Sequence, residues 1–597
     1  MTTDEKEATL QLERLNDNIA RIEELSQRLV AAMANKRQID PSLQGPSQDV
    51  FAKAAAAYMT DMVQNPAKII EHQVGYWGRM LKHYFEAQQA LASGRFATPP
   101  DDTPRDRRFS NELWDTHPWF NFIKQNYLLT ANAIDEAIAD LDGLEEFDKR
   151  KVEYFTHQIV DMFAPTNFLA TNPEALERAV ATEGQSLVDG LENLVRDIEN
   201  HDGELLVTLS DPEAFKVGEN LASTPGKVVF RNRMFELIQY TPTTETVHAT
   251  PLLIFPPWIN KFYILDLKEK NSLIKWITDQ GYTLFVVSWV NPDSTYADVG
   301  MDQYVEEGYL TAIEQVKAIT GEKQINAIGY CIAGTTLGLT LALMNKRGDK
   351  SIKSATFFTT LTDFADPGEI GVFLDDSFVD GLEREVQESG VLDSFFMSRT
   401  FSFLRSNDLI YTPAVKSYML GEAPPAFDLL HWNGDGTNLP ARMSVEYLRD
   451  LCQGDKFATE GFTICGETVT LADVKTTLCA IACETDHIAP WMASYEGIRK
   501  MGARSKTFIL SQSGHIAGIV NPPTKKKYGH YTNPDMKLDA EAWLAGATFN
   551  EGSWWPLWED WLSKRSGRQV PARTPGDASH PALCDAPGTY VVAEPAA

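Results

Sequence analysis

The stretch INAIGYCIAGT, residues 325–335, decides the fold of this chain. Its first four residues form a mostly apolar run that predicts a buried strand. Gly329, Cys331 and Ala333 follow in the spacing of a nucleophile elbow, a sharp strand-to-helix turn in which small residues flank the nucleophile. Serine usually occupies the central position, and here it is cysteine. One such match is weak evidence by itself, because most free cysteines are inert core thiols.

Two later segments place an acid and a histidine after predicted strands. The run Thr477–Cys483 predicts a buried strand that leads to Asp486, and the run Thr507–Leu510 predicts the next strand, which leads to His515. Nucleophile, acid and histidine, each after a strand and in this chain order, are typical of the α/β-hydrolase fold. The alternatives are a capping carboxylate at Asp486 and a surface histidine at His515. The shared order and strand context favour the catalytic interpretation.

Length and composition limit the classes of protein that this chain can be. With 597 residues it exceeds what one hydrophobic core usually supports, so two structural units are expected. The 54 basic and 83 acidic residues give a net charge of −29, which argues against a nucleic-acid partner. The 6 cysteines lack metal-ligand spacing and CxxC pairs, so neither a metal site nor a disulfide framework is predicted. No run approaches the roughly 18 apolar residues of a membrane span, and we expect a cytoplasmic protein.

Secondary-structure patterns change near residue 205. Helical periodicity dominates before it, and β-branched runs alternating with helix-sized segments after it predict a parallel sheet. We predict a mostly helical N-terminal domain over residues 1–205, of which residues 1–100 could be mobile. An α/β-hydrolase catalytic domain follows over residues 206–597, with a cap inserted at about 363–451. Its first predicted strands are Lys227–Phe230, Met234–Tyr240, Pro251–Phe255, Thr283–Trp289, Ile325–Gly329 and Ser354–Thr360.

Smaller features of the two predicted domains can also be read from the sequence. The segment from Leu12 to Met33 has heptad-like apolar spacing, which fits either a partner-binding or self-associating helix or a marginal amphipathic helix on a mobile tail. Prolines predict a break at Pro41–Pro46 and a linker at Ala97–Arg107. Near the carboxyl terminus, four tryptophans at helical spacing predict a last helix packed on the sheet rather than a polymer-binding face: Trp554, Trp555, Trp558 and Trp561.

Longer motifs surround these candidate residues. They are PPWINKFYILDL at 256–267, FDLLHWNGD at 427–435, SGHIAG at 513–518 and GSWWP at 552–556. On these motifs the chain resembles the polyhydroxyalkanoate (PHA) synthases of the class I type, the poly(3-hydroxybutyrate) polymerase family, from about Arg105 to Tyr590. Ala333 stands where many members of that family have glycine, a difference of one methyl group.

The resemblance implies an acyltransferase that polymerises (R)-3-hydroxyacyl-CoA, with 3-hydroxybutyryl-CoA as the expected monomer, and releases CoA. The acyl chain would be held as a thioester on Cys331, which keeps it activated for the next transfer, whereas serine would form an ordinary ester. His515 would take the thiol proton and, as the family implies, deprotonate the 3-hydroxyl of the incoming unit. Asp486 would orient His515 or help to activate that hydroxyl. The alternative function is a hydrolase: an esterase, a thioesterase or a PHA depolymerase.

An enzyme of this fold also needs donors for the oxyanion of its tetrahedral intermediate. The usual first donor is the backbone N–H after the nucleophile, here that of Ile332. The second comes from the loop after an earlier strand, and we select Trp258 or Ile259 because the two prolines before them have no N–H. His487 is a competing side-chain donor, for which a structural hydrogen bond is the alternative.

The remaining expectations concern ligands and partners. For the phosphates of CoA we select Arg405, and the run Lys525–Lys527 is a further candidate that could equally be solvated surface. No metal or cofactor is expected, since CoA is part of substrate and product. The resemblance implies contact with the growing polyester and the granule surface, a homodimer, granule-associated proteins, and a cytoplasmic location on PHA granules. It implies no nucleic acid and no membrane span.

Overall fold

The computed structural model describes residues 3–34, 40, 43, 52–57, 59–60, 66–93, 106–139, 141, 143–201 and 203–593. The chain forms two compact units. The helical unit comprises Met1–Asp211 and Arg399–Pro425, and the sheet unit comprises Pro212–Ser398 and Ala426–Ala597. The break predicted at Pro41–Pro46 and the linker predicted at Ala97–Arg107 lie almost entirely outside the described residues.

The helical unit is held together by its first helix. This helix, α1 (Thr3–Ala34), packs on α7 (Gln185–Glu199), with Leu25 fully buried against the apolar face of α7. An ion pair between Arg28 and Glu199, 2.6 Å apart, flanks this contact. The heptad-like segment therefore forms the predicted helix and packs within its own chain. In chain order, the helices between α1 and α7 are α2 (Pro66–Ser93), α3 (Leu113–Thr116), α4 (Pro118–Ala139), α5 (Glu146–Met162) and α6 (Pro173–Ala181).

Part of the predicted cap belongs to the helical unit. The segment 399–425 packs against α7, where the side-chain amide of Asn193 donates to the carbonyl of Ser417 at 3.1 Å. The two backbones approach so closely that a Cβ on Gly190 would lie 2.1 Å from the carbonyl oxygen of Tyr418. Only glycine permits this contact. The insertion predicted at 363–451 is therefore divided between the two units.

The sheet unit is built on one large sheet, which has 11 strands within the described residues, in the order β15-β14-β13-β12-β7-β6-β4-β5-β2-β1-β17. The block from β13 to β5 is parallel, and strands on both sides of it are antiparallel. Both faces of the central strands are covered, which explains their continuous apolar sequences. The bounds are β1 Gly226–Arg231, β2 Phe235–Tyr240, β3 Thr246–His248, β4 Leu252–Phe255, β5 Leu284–Trp289, β6 Ile325–Tyr330, β7 Ile352–Phe358, β8 Val391–Leu392, β9 Leu439–Pro440, β10 Phe462–Ile464, β11 Glu467–Val469, β12 Thr477–Cys483, β13 Lys506–Ser511, β14 His530–Thr532, β15 Thr548–Asn550, β16 Gln569–Pro571 and β17 Cys584–Asp585.

Helices follow most of the parallel strands, and the predicted parallel α/β architecture is confirmed. The helical segment between β5 and β6 contains a π-helical stretch at Tyr304–Leu310, which the sequence did not indicate. Within the described residues no helix has the length and apolar character needed to cross a membrane. The remaining helices are α8 Leu273–Asp279, α9 Met301–Gln303, α10 Thr311–Thr320, α11 Ile332–Lys346, α12 Asp376–Ser389, α13 Ser394–Leu404, α14 Thr412–Ala414, α15 Asp428–Gly434, α16 Ala441–Glu446, α17 Trp491–Lys500, α18 Ala540–Ala545 and α19 Trp555–Ser563.

The tryptophan cluster of the last helix packs on the sheet, as predicted. Trp554, Trp555 and Trp558 are completely buried, and the indole of Trp558 donates to the hydroxyl of Thr356 on β7 at 3.1 Å. The helix therefore covers one face of the parallel block. The sequence could predict this packing, because apolar residues at helical spacing mark a buried face.

Candidate active site

Cys331 occupies a strained turn between β6 and α11. Its φ of 53° and ψ of −127° are sparsely populated for a residue with a side chain. Small neighbours make the turn possible: a Cβ on Gly329 would lie 2.6 Å from Cα of Gly334, and a Cβ on Gly334 would lie 2.0 Å from Oγ1 of Thr360. The predicted elbow is therefore present, and it leaves Cys331 partly exposed at the carboxyl edge of the sheet.

Asp486 and His515 meet at the same edge of the sheet. β12 and β13 are parallel neighbours, with Cys483 paired in register with Ser511, so the loops that follow them start at the same level. The Nδ1 atom of His515 lies 2.7 Å from Oδ2 of Asp486. The other oxygen, Oδ1, accepts the backbone N–H groups of the two residues Ile488 and Ala489, each at 2.9 Å. These contacts fix the carboxylate, which in turn fixes the imidazole ring.

His515 also contacts Cys331, so the structure brings together all three residues predicted from the chain order. The ring of His515 lies 6.0 Å from the ring of Tyr330, the residue directly before Cys331, and only 8% of His515 is exposed. Burial lowers the pKa of His515, but the charges of Asp486 and Cys331 and the hydrogen bonds with them outweigh burial and raise this pKa from 6.5 to about 10. The site therefore favours the protonated form of His515, and a protonated histidine beside a cysteine is the kind of neighbour that activates a thiol.

The other cysteines lie in different surroundings. Burial is the main cause that raises the thiol pKa of each of them, and for Cys483 the pKa is raised well above its usual value. A raised pKa keeps these groups as neutral thiols, which are poor nucleophiles. They are Cys452, Cys465, Cys479, Cys483 and Cys584.

The loop expected to supply the second oxyanion donor lies beside the elbow. β4 is the parallel neighbour of β6, and Phe255 pairs in register with Gly329, so the loop after Phe255 leaves the sheet at the level of the elbow. This loop contains Trp258 and Ile259, which are both buried. Ile332 begins α11, so its N–H has no carbonyl one turn earlier to donate to. The donor roles of Ile332, Trp258 and Ile259 remain predictions.

This loop is part of the motif at 256–267, and residues of the motif at 427–435 hold it in place. Asp435 binds it twice: one carboxylate oxygen pairs with Nζ of Lys261 at 2.7 Å, and the other accepts the hydroxyl of Tyr263 at 2.8 Å. The indole of Trp432 donates to the carbonyl of Lys261 at 2.7 Å. Sequence reasoning assigned no role to Asp435. The sequence feature that could have pointed to Asp435 is the length of the motif at 427–435. A motif of this length is longer than a single catalytic residue would require.

The loop that carries His515 is fixed by the last helix. The indole of Trp554 donates to the carbonyl of Gly518 at 2.8 Å, and the indole of Trp555 donates to the carbonyl of Ile519 at 2.9 Å. Gly518 itself lies against Cys483, since a Cβ there would be 2.4 Å from its sulfur. These two tryptophans are thus supports of the histidine loop, a role that their spacing did not reveal.

Two predicted residues are not part of this arrangement of three side chains. Arg405 belongs to the helical unit, where it is half exposed and lies 3.6 Å from Asp408. His487 follows Asp486 directly and is half-buried. Their roles as a ligand of CoA and as an oxyanion donor remain predictions.

These features define a protein of the α/β-hydrolase fold with cysteine at the nucleophile position. Residues 251–522 match the family described as alpha/beta hydrolase fold, and residues 105–277 match the family described as poly-beta-hydroxybutyrate polymerase N-terminus. The chain is 42% identical over 554 residues to a poly(3-hydroxyalkanoate) polymerase subunit of Rhizobium etli, covering 89% of this chain and 86% of the relative. It is 40% identical to the polymerase of Methylorubrum extorquens, with coverage of 92% and 91%. For a polymerase subunit of Cupriavidus necator the identity is 40% and the coverage 86% and 87%. The chain belongs to the poly(3-hydroxyalkanoate) polymerase family.

Proposed function

We propose that this chain is an acyltransferase that polymerises (R)-3-hydroxyacyl-CoA, with 3-hydroxybutyryl-CoA as the preferred monomer, into polyhydroxyalkanoate and releases CoA. Membership of the polymerase family supports the reaction class. The observation that carries the proposal is the contact of Cys331 with His515, which is itself bound to Asp486 at 2.7 Å. A thiolate beside an imidazolium is a nucleophile suited to a thioester carbonyl.

The first step would load the acyl group. The Cys331 sulfur attacks the thioester carbonyl, and the carbonyl oxygen becomes an oxyanion that the N–H of Ile332 and a donor from Trp258 or Ile259 would stabilise. When the intermediate collapses, the bond from the carbonyl carbon to the CoA sulfur breaks. The CoA sulfur takes a proton from His515 and leaves as a thiol. One thioester replaces another, so the step is nearly thermoneutral and the acyl group stays activated.

The second step would form the ester bond. Neutral His515 takes the proton of the 3-hydroxyl group of an incoming acyl-CoA, and that oxygen attacks the carbonyl of the chain on Cys331. The bond to the Cys331 sulfur breaks, which restores the thiolate beside the imidazolium. The chain, longer by one unit, is now a CoA thioester and can acylate Cys331 again with release of CoA. Asp486 would hold His515 in the orientation that both steps need.

The products formed by the purified protein distinguish polymerisation from hydrolysis on the same scaffold. With 3-hydroxybutyryl-CoA as substrate we expect insoluble polyester and one CoA released for each unit added. Free 3-hydroxybutyrate as the main product would contradict the polymerase assignment and favour a thioesterase. Repeating the assay with 3-hydroxyacyl-CoA of increasing side-chain length measures the monomer preference.

We further propose that the helical unit attaches the enzyme to the surface of its own polyester in cytoplasmic granules. An apolar face of α2 supports this proposal, since Trp77 is 61% exposed and Phe85 is 67% exposed, and Val74 and Leu81 extend the same face. Another face of α2 packs on α4, where Arg79 pairs with Glu136 at 3.1 Å. A water-exposed apolar stripe of this length is typical of an interaction surface.

The attachment can be tested by changing the stripe without disturbing the packed face. We expect Trp77→Gln with Phe85→Gln to shift the enzyme from the granule fraction to the supernatant, while its specific activity on soluble substrate is kept. Gln89→Ala on the same helix is the control. If the double variant remains on granules but changes from dimer to monomer, the stripe serves the expected homodimer instead.

A further inference from the structure

A cluster of lysines lies where two loops of the candidate site continue. The first loop carries Trp258 and Ile259 and leads to Lys268 and Lys270. The second carries His515 and leads to Lys525 and Lys527, and we call these four lysines the lysine cluster. They are close in space. Lys525 interacts electrostatically with Lys270, Lys527 and Asp428. The carboxylate of Asp428 in turn lies 3.1 Å from Nζ of Lys268.

The lysine cluster carries uncompensated positive charge. Asp428 is the carboxylate that interacts with Lys525 and pairs with Lys268. Within the described part of the chain Lys270, Lys525 and Lys527 take part in no ion pair. Partial burial and then repulsion from Lys270 lower the pKa of Lys525. Such repulsion is unusual in a chain with a net charge of −29, where carboxylates are abundant.

The lysine cluster is tied to the catalytic histidine through one closed loop. Gln512 and Gly529 close the base of this loop, since the N–H of Gln512 donates to the carbonyl of Gly529 at 2.9 Å and the N–H of Gly529 donates to Oε1 of Gln512 at 3.0 Å. Nζ of Lys527 lies 4.8 Å from the ring centre of Tyr528, and interactions with Lys527 and with Ser513, two residues before His515, lower the pKa of Tyr528. An anion bound by the lysines is therefore held by the same loop that positions His515.

We propose that the lysine cluster binds the phosphate groups of the acyl-CoA substrate while its thioester lies at Cys331. This inference rests on the proposed polymerase function and adds to it the residues that recognise the nucleotide part of CoA. That part carries a pyrophosphate and a further phosphate, which the overall charge of the protein repels. Compact ammonium groups attract phosphate as point charges, and three of these lysines have no carboxylate partner within the described residues.

Kinetics with two thioester substrates, one with phosphate groups and one without, separate phosphate binding from other effects of the substitutions. The variant Lys270→Gln, Lys525→Gln, Lys527→Gln is expected to raise KM for 3-hydroxybutyryl-CoA roughly tenfold or more, with kcat nearly unchanged. For the N-acetylcysteamine thioester of 3-hydroxybutyrate, which has no phosphate, KM is expected to stay within about twofold of the natural protein. Added KCl should raise KM for the CoA thioester in the natural protein, and less steeply in the variant.

Matched variants control for net charge and for folding. Lys323→Gln, Lys537→Gln, Lys564→Gln removes three charges elsewhere in the sheet unit and is expected to leave both KM values unchanged. Replacing the three cluster lysines by arginine keeps the charge and should restore most of the affinity. An unchanged KM for the CoA thioester, or an equal rise for both thioesters, would overturn the inference. If the natural protein makes no polymer, the proposed function fails, and calorimetric titration with CoA and with pantetheine still tests the cluster: only CoA should bind, and only with the lysines present.

Discussion

Cys331 and Cys483 stand at the same edge of the parallel sheet, with only β7 between their strands. Cys483 is the last residue of β12, is fully buried, and has a thiol pKa raised well above the usual value by that burial. Cys331 follows β6 in a turn with φ of 53°, is partly exposed, and contacts His515. Both residues are cysteines, and they lie at nearly the same place in the sheet. The turn and the neighbouring histidine distinguish Cys331, the proposed nucleophile, from Cys483, which packs in the core.

The largest effect is expected when the sulfur of Cys331 and that of Cys483 are removed in separate variants. We expect Cys331→Ala to lower the rate of CoA release by about 10⁴-fold or more, because Cys331 is the group proposed to carry the acyl chain. Cys483→Ala is the matched control and should keep activity within a few-fold, at a cost of about 1 kcal/mol in the free energy of unfolding. Activity is followed with a thiol-specific reagent, and stability by urea unfolding. Comparable losses of activity in both variants would contradict the comparison.

The second prediction concerns His515 and Asp486, the groups proposed to activate Cys331. His515→Gln is expected to lower kcat by about 10³-fold, and Asp486→Asn by about 10²-fold to 10⁴-fold. If Asp486 acts by orienting His515, the double variant will be no slower than His515→Gln alone. A further loss in the double variant would assign Asp486 a separate part in activating the substrate hydroxyl.

The third prediction concerns the turn itself. In Gly329→Ala the new Cβ would lie 2.6 Å from Cα of Gly334, so backbone must move. We expect a loss of about 2 kcal/mol in the free energy of unfolding and a large loss of activity, because the elbow can no longer present Cys331. Gly434→Ala is the control, since no atom lies within 4 Å of its Cβ position. Equal behaviour of the two variants in thermal unfolding would remove the steric argument.

The last prediction is a pH dependence of stability, rather than a loss of activity, that originates at His515. Its pKa is raised from 6.5 in the unfolded chain to about 10 in the folded protein, so the folded state binds the proton more tightly. The resulting stabilisation is complete below the unfolded pKa and is lost as pH rises through about 10. We therefore expect the difference in unfolding free energy between the natural protein and His515→Gln to shrink from pH 6.5 to pH 10. A constant difference across that range would contradict the tight coupling to Asp486.

The three candidate site residues could be predicted from the sequence more readily than the contacts that hold their loops in place. The order of Cys331, Asp486 and His515 was readable because each follows an apolar run, and buried parallel strands have such runs. The predicted central strands agree with β1, β2, β4–β7, β12 and β13 to within two residues at each end. Contacts that join distant segments leave no local pattern, as in the binding of Asp435 to Lys261 or of Trp554 to Gly518.

The same reason explains what the sequence did not predict. Strands β14, β15 and β17 have three residues or fewer, which is too short for an alternating pattern, and they exist through pairing with distant neighbours. The division of the cap also depends on a distant contact, the close approach of Gly190 to Tyr418. Glycine inside a helix gives no hint of the partner that requires it.

The indoles of Trp554 and Trp555 have a consequence for the order in which the molecule becomes active. They hold the carbonyls of Gly518 and Ile519 in the histidine loop, yet they follow Cys331 and His515 in the chain. A chain synthesised only as far as His515 contains all three candidate residues but lacks the helix that fixes the histidine loop. We therefore expect these residues to reach their arrangement only after the last helix has packed on the sheet.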